Sequence, residues 1–321
     1  MADAPPVEVR GLTKRYGSLV AVDAVDLTVE RGDVYGYLGP NGAGKTTSLR
    51  MMLGLIRPSA GEVRIFGRDP LASVRALDGV AGFVEAPRFY PYLSGLENLR
   101  MMAAYDGGDA ASRIPSALGI VDLADRARDR VGGYSHGMRQ RLGIAAALLR
   151  DPRLMLLDEP TTGLDPGGMR DMRELVRRLA GEGITVVLSS HLLVEVEELC
   201  NRVAIVRSGR KVYEGRLSEL RQAAGGAYRL RTTDDAVAER VCRAQPGVAN
   251  VRASGGELRF SADEPVVAEL SVALVESGAA ILALTPEHAT LEELFFQLTE
   301  GDAAAGEAAE PPELEPAGEA A

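Results

Sequence analysis

Tryptophan is missing from this 321-residue chain, and aromatic residues make up only 5% of it. The composition leans instead on Ala, Gly, Arg and Glu, which speaks of coding bias more than of function. Only two cysteines occur, Cys200 and Cys242, with no metal-ligand spacing around either. That excludes a disulfide scaffold and a cysteine-based metal module, and two cysteines in so long a chain read as reduced thiols. No run approaches the ~18 consecutive apolar residues of a membrane span. The N-terminus, MADAPPVEV, lacks the basic start and apolar stretch of a secretory signal. If the protein serves a membrane process, another chain is expected to supply the membrane part. A strong excess of one charge is also absent from most of the sequence. The formal net charge is -10, but residues 1–218 carry 29 basic and 27 acidic groups, whereas residues 300–321 carry seven acidic groups and no basic one. Net charge therefore implies neither a nucleic-acid partner nor an anionic membrane surface.

What is present is a 46% hydrophobic content, enough for a full core. Val7 to Arg10, Asp26 to Glu30 and Asp33 to Leu38 read as strands, and Gly44 to Leu53 has helical spacing. Residues 86–133 read as a mostly helical insertion. Gly137 to Arg150 is a helix, with Met138, Leu142, Ala145 and Leu149 recurring on one face. Arg153 to Leu157 and Ile184 to Leu188 are continuous apolar runs of the kind found in buried parallel strands. Between them Gly168 to Ala180 is an amphipathic helix. Strands alternating with helices predict an α/β sheet covered on both faces.

The pattern breaks at Gln222 to Ala227, and a second module is expected from residue 226 to 299. Its order is strand Tyr228–Thr232, helix Asp235–Arg243, strand Val248–Ala253, strand Glu257–Ser261, helix Pro265–Glu276 and strand Ile281–Leu284. That is the βαββαβ order of a small ferredoxin-like α+β domain. An amphipathic helix is expected at Thr290 to Leu298. Residues 300–321, rich in Ala, Glu, Pro and Gly, bury too little apolar surface to fold and read as a disordered acidic tail.

The most specific motif is Gly39-Pro40-Asn41-Gly42-Ala43-Gly44-Lys45-Thr46, followed by Thr47. It fits the phosphate-binding loop G-x-x-x-x-G-K-[ST] between a strand and a helix. Glycines let the backbone wrap so that several N–H groups face one phosphate, and the helix beginning near Gly44 offers its positive end to the anion. Lys45 reaches the β- and γ-phosphates, and Thr46 offers a hydroxyl to Mg²⁺. ATP with Mg²⁺ is therefore the expected ligand. The loop alone leaves kinases, GTPases, helicases and transporter motors open.

Further along, Leu154 to Leu157 is an apolar strand ending on Asp158 and Glu159. Asp158 is placed to hold Mg²⁺, and Glu159 to orient and deprotonate an attacking water. His191, just past another buried strand, is placed to reach the γ-phosphate.

The order of Gly39–Thr46, Tyr134-Ser135-His136-Gly137-Met138, Leu156-Leu157-Asp158-Glu159-Pro160, Gly163-Leu164-Asp165 and Ser190-His191 resembles the ATP-binding-cassette (ABC) ATPases. The resemblance covers roughly residues 7–218. It implies a P-loop NTPase domain over residues 1–222, with a helical subdomain at about 86–150. It also implies that Ser135 and Gly137 cap the γ-phosphate held on a second copy's loop, that Asp165 couples the two sites, and that Tyr16 stacks on adenine. Two positions depart from the family's pattern. His136 stands at the first glycine of the signature, with Met138 where Gln is usual. Glu85, in Gly82-Phe83-Val84-Glu85, stands where the family has Gln, and its carboxylate is expected to ligate Mg²⁺ as the amide oxygen does. Phe83 to Pro87, Phe89 to Pro91 and Tyr134 to Gly143 look like the bacitracin and lantibiotic export branch. Arg88, Phe89, Tyr90 and Tyr92 match the region that faces a membrane subunit in the family.

The resemblance thus implies an ATPase subunit that works with a second copy of itself and with integral membrane permease subunits. It would sit at the cytoplasmic face of the membrane and power export of a drug, antibiotic peptide or lipid-like substrate. The alternative is a soluble ABC ATPase acting on translation or DNA. Ribosome-acting members carry two cassettes, however, and this chain has one. DNA-repair members insert long coiled coils for which residues 55–130 leave no room.

Overall fold

The computed structural model describes residues 4–223 and 227–287. Two compact units divide the chain, Met1–Leu220 and Arg221–Ala321. The expected helix at Thr290 to Leu298 and the tail 300–321 lie outside the described residues.

The first unit begins with β1 (Val7–Tyr16) and β2 (Leu19–Val29), a hairpin closed over Gly17 and Ser18, and β3 (Val34–Leu38). Then follow α1 (Lys45–Met52), β4 (Ala60–Ile65), β5 (Val80–Phe83), α2 (Gly95–Asp106), α3 (Ile114–Ile120) and α4 (His136–Leu148). The rest is β6 (Leu154–Asp158), α5 (Pro166–Gly181), β7 (Thr185–Ser190), α6 (Leu193–Leu199), β8 (Arg202–Arg207), β9 (Arg210–Arg216) and the start of α7 (Leu217–Ala223), which crosses the boundary. β1 lies between β2 and β4 in an antiparallel three-stranded sheet. A six-stranded sheet runs β5-β6-β7-β3-β8-β9, parallel except for β9 at its edge.

Every residue of β6 and β7 is buried, as an apolar strand covered on both faces must be. One apolar core joins the two sheets. Val9, Leu27 and Ile65 meet Leu49, Met51 and Met52 of α1, together with Tyr35, Tyr37, Leu154 and Val187 of the larger sheet. The helix that follows the phosphate loop is thereby wedged between sheets, which fixes where the loop points. α5 starts on a Pro at its first turn, and its face Met172, Leu175, Val176 and Leu179 is buried at helical spacing.

The region 86–133 is helical as expected. α2 starts with a reciprocal cap, in which the Ser94 hydroxyl accepts from Glu97 N and Glu97 accepts from Ser94 N. Four strands had no counterpart in the sequence reading: β4, β5, β8 and β9. β5 has only four residues and β9 is a charged edge strand, RKVYEGR, so neither shows a strand period. The first two strands also extend further than expected, because their alternation is broken by register shifts at Leu12 and Lys14.

The second unit contains β10 (Ala227–Thr232), α8 (Asp235–Ala244), β11 (Ala249–Ser254), β12 (Glu257–Ser261), α9 (Glu264–Glu276) and β13 (Ile281–Glu287). Its antiparallel sheet runs β11-β12-β10-β13, the ferredoxin-like order. Leu230, Leu258, Phe260, Leu270 and Leu274 form its core, with Tyr228 stacked on Phe260 at 5.6 Å between ring centres. Cys200 of the first unit and Cys242 of the second are both free and buried. Among the described residues, no helix is long and apolar enough to cross a membrane.

Candidate active site around Lys45 and Glu159

Three parallel strands deliver the site. In register, Asp158 on β6 lies beside Ser189 on β7, and Leu38 on β3 lies beside Ser190. Gly39, Glu159 and His191, the next residue on each chain segment, therefore emerge along one edge of the sheet. This is the carboxyl end, where open α/β sheets place their ligands.

The loop from Gly39 to Lys45 is built on close approach. A Cβ at Gly39 would lie 2.4 Å from the Val206 carbonyl oxygen, and one at Gly44, where φ is +96°, would lie 2.3 Å from that of Ala21. Only glycine fits either place. Ala43 N donates to Pro40 O, and Gly209 N donates to Ala43 O, which pins the loop to the β8–β9 turn. Pro40, Asn41 and Gly42 are exposed, and Thr46 and Thr47 are half-buried on the first turn of α1. Lys45 is 5% exposed. Its Nζ donates to Gly39 O at 2.8 Å and Pro40 O at 3.2 Å and lies 3.2 Å from Glu159 Oε1.

Glu159 is the hub. Its φ of +47° places a non-glycine residue in the left-handed region, at a cost of about 1–2 kcal/mol. Two contacts from one residue offset this: Glu159 N is shared between Ser189 Oγ at 2.9 Å and Ser189 O at 3.2 Å. The turn swings the carboxylate out of the strand and toward the phosphate loop. There Oε2 accepts from Thr162 Oγ1 at 2.9 Å and lies 3.2 Å from His191 Nδ1. The His191 contact is electrostatic rather than a hydrogen bond, because the buried Nδ1 is off the line such a bond needs. Partial burial pushes the Glu159 carboxyl up, but Thr162, Lys45 and His191 together outweigh it and hold the group below its ordinary range.

Asp158 is 5% exposed, and its Oδ1 accepts from Ser189 Oγ at 2.5 Å. Ser189 thus touches both acids. Neither it nor Thr162 was singled out from the sequence. Ser189 was hidden because its role depends on strand register, although a serine pair ending an apolar strand is the trace it leaves. Glu85, expected as a metal ligand, is ion-paired with Arg50 of α1. Among the described residues no cluster of three or more His, Cys, Asp or Glu stands ready to hold a metal. A magnesium ion that arrives on phosphates asks less, and the donor set of Thr46 and Asp158 fits it: one hydroxyl and one carboxylate, both hard oxygens.

The remaining expected residues are not gathered at this point. Tyr16 is 48% exposed at the β1–β2 turn, with Lys14 Nζ 5.1 Å above its ring. Ser135 caps α4, accepting from Met138 N. Asp165 caps α5, accepting from Gly168 N. Ser135, His136, Gly137, Gly163 and Asp165 share a separate cleft of about 430 Å³.

A glycine-rich loop that leads into α1, with its lysine set against Glu159 at the carboxyl edge of a parallel sheet, defines a nucleoside triphosphatase of the P-loop class. Residues 22–162 match the family described as ABC transporter. The chain is 37% identical to the bacitracin transport ATP-binding protein BcrA of Bacillus licheniformis, over 92% of this chain and 97% of that one. It is 40% identical to the daunorubicin/doxorubicin resistance ATP-binding protein DrrA of Streptomyces peucetius, over 91% and 92%. A solved ATP-binding subunit of an ABC transporter superposes with a TM-score of 0.61 at 30% identity, covering 68% of this chain and 92% of that one. The chain belongs to the ABC transporter family as an ATP-hydrolysing subunit, and its similarity lies with the drug- and antibiotic-export members.

Proposed function

We propose that this chain drives export through separate membrane permease subunits, and that two copies close on two Mg-ATP molecules to do so. The reading is carried by the convergence of Lys45, Thr162 and His191 on the Glu159 carboxylate. An incoming γ-phosphate competes with Glu159 for Lys45. Once Lys45 turns to the phosphate, Glu159 loses a cation that held it ionised, becomes more basic, and is free to take a proton from the attacking water. Thr46 and Asp158 would hold the magnesium ion, which would neutralise charge on the phosphates when bound. For Glu85 to join them it must first leave Arg50.

The second copy is proposed from Gly137. A Cβ there would meet Leu164 Cδ2 at 3.6 Å and Ser135 Oγ at 4.0 Å, both ordinary contacts, and the backbone is not left-handed. Among the described residues nothing forces a glycine here, so the position is open to a group from outside the chain. The partner's γ-phosphate, approaching the start of α4 beside Ser135, supplies one. Asp165, in the same cleft, faces that interface. A dimeric ATP-binding cassette bound to ADP and Pi has the same fold, with a TM-score of 0.59. The relatives named for bacitracin transport and daunorubicin resistance support an amphipathic antibiotic or lipid-like cargo. Attachment to a permease places the subunit at the cytoplasmic face of the membrane.

The test is Glu159→Gln. The amide keeps the shape and loses the base. With ATP the variant should form a lasting dimer by light scattering, and phosphate release should fall by about 100-fold or more. Turnover near that of the unaltered protein would exclude Glu159 as the base.

A further inference from the structure

His136 is the residue by which the signature departs from the family's glycine pattern. It opens α4 and lines the cleft beside it, and its ring reaches the turn that follows β6. Its Nε2 is 3.1 Å from the carbonyl oxygen of Thr162. A carbonyl only accepts, so Nε2 carries the proton and donates. Thr162 is also the residue whose hydroxyl donates to Glu159 Oε2, and its N–H donates to Glu159 O at 3.1 Å. One residue is therefore grasped on one side by the signature and on the other by the base.

The packing around this contact makes it a point of purchase. Gly163 follows with φ of +77°, and a Cβ added there would lie 3.4 Å from His136 Nε2. Leu164 N donates to Thr161 O, and Leu164 Cδ2 is the nearest atom to the Cβ position of Gly137. The segment from Glu159 to Asp165 is thus held against the first turn of α4 at two places, by the imidazole and by the leucine. A hydrogen bond weakens steeply once stretched or bent. A shift of that first turn by a few tenths of an ångström therefore reaches the Thr162 hydroxyl without passing through the hydrophobic core.

We propose that His136 is a positioning residue that couples the signature turn to Glu159 of the same chain through Thr162, so that closure on one ATP sets the base at the other. The proposal rests on the dimer reading given above, because the signature turn responds to a phosphate held on the second copy. In a chain with glycine at 136 this link does not exist. Its presence makes the two hydrolysis sites report to each other through one side chain.

The experiment uses the full-length protein and steady-state ATP hydrolysis. His136→Ala should lower kcat by about tenfold, the rate equivalent of one lost hydrogen bond's positioning, and leave KM for ATP within about twofold. His136→Gln, whose amide nitrogen can reach the same carbonyl, should restore at least half of the lost rate. Thr162→Val removes the hydroxyl that the link controls, so adding His136→Ala to it should cost little further, giving a non-additive double-mutant cycle. In the Glu159→Gln background, His136→Ala should leave ATP-driven dimerisation unchanged by light scattering.

A kcat within about twofold of the unaltered protein would overturn the proposal. So would additive effects of the two substitutions, a glutamine variant no better than alanine, or a loss of dimerisation, which would make His136 a phosphate cap instead. A Glu159→Gln chain that stays monomeric with ATP would refute the dimer reading itself, while the kcat, rescue and additivity results would still decide on the His136–Thr162 link.

Discussion

Glu195 is 1% exposed on α6, four residues past His191, and its Oε1 has no hydrogen-bond partner. Oε2 accepts from Ser190 Oγ at 2.5 Å. Burial pushes this carboxyl above its ordinary range, against the opposing pull of Ser190, Thr161 and Arg173. A carboxyl whose pKa is raised by folding contributes stability that is present below its unfolded value and lost as pH rises through the folded one. Glu195→Gln should accordingly raise the melting temperature at pH 8 by about 2–4 °C, and the gain should shrink as pH falls toward 4.5. Equal gains at both ends, measured by calorimetry, would show that Glu195 is not the titrating group. At this scale the sequence was informative wherever a residue type carries its chemistry alone. Lys45, Glu159 and His191 were singled out from their places in motifs, and the structure sets Lys45 Nζ and His191 Nδ1 each 3.2 Å from the Glu159 carboxylate. Ser189 and Thr162 were not, because a hydroxyl is ubiquitous and means something only once the chain has folded it against a carboxylate.

Among elements, the phosphate loop and the signature turn make opposite demands on glycine. Gly39 is fixed by the Val206 carbonyl, so Gly39→Ala should destabilise the fold by about 1–3 kcal/mol in urea melts and weaken ATP binding with it. Gly137 has room, so Gly137→Ala should melt like the unaltered protein yet lose most of its ATPase activity, because the added methyl intrudes where the partner's phosphate is proposed to sit. A matching loss of stability at Gly137 would remove the reason for looking outside the chain. Strands β3, β6 and β7 and helices α4 and α5 were legible, since buried apolar runs and helical spacing show in the sequence itself. Strands β4 and β5 were not. AGEVRI and VAGF are too short to show a period, and they are strands because β1 and β6 offer them an edge to pair with.

For the whole molecule, division into two units sets an expectation for truncation. Each unit has a hydrophobic core of its own, and Lys45, Thr46, Asp158, Glu159 and His191 all belong to the first. Deleting residues 226–321 should leave ATP affinity unchanged by calorimetry. Loss of nucleotide binding by a truncated chain with intact circular dichroism would tie the second unit to the site. The βαββαβ order was legible because each turn carries its own Gly or Asp signal, and the strand order β11-β12-β10-β13 follows from that order with few alternatives.

The Ser189 hydroxyl gives to Asp158 and receives from the Glu159 amide, with a single oxygen as the pivot of both. Cation dependence and turnover are therefore geared together in the proposed mechanism. A substitution that relaxes one acid also unseats the other, so natural variation at this strand end cannot retune the preference for the metal while sparing the pace of hydrolysis.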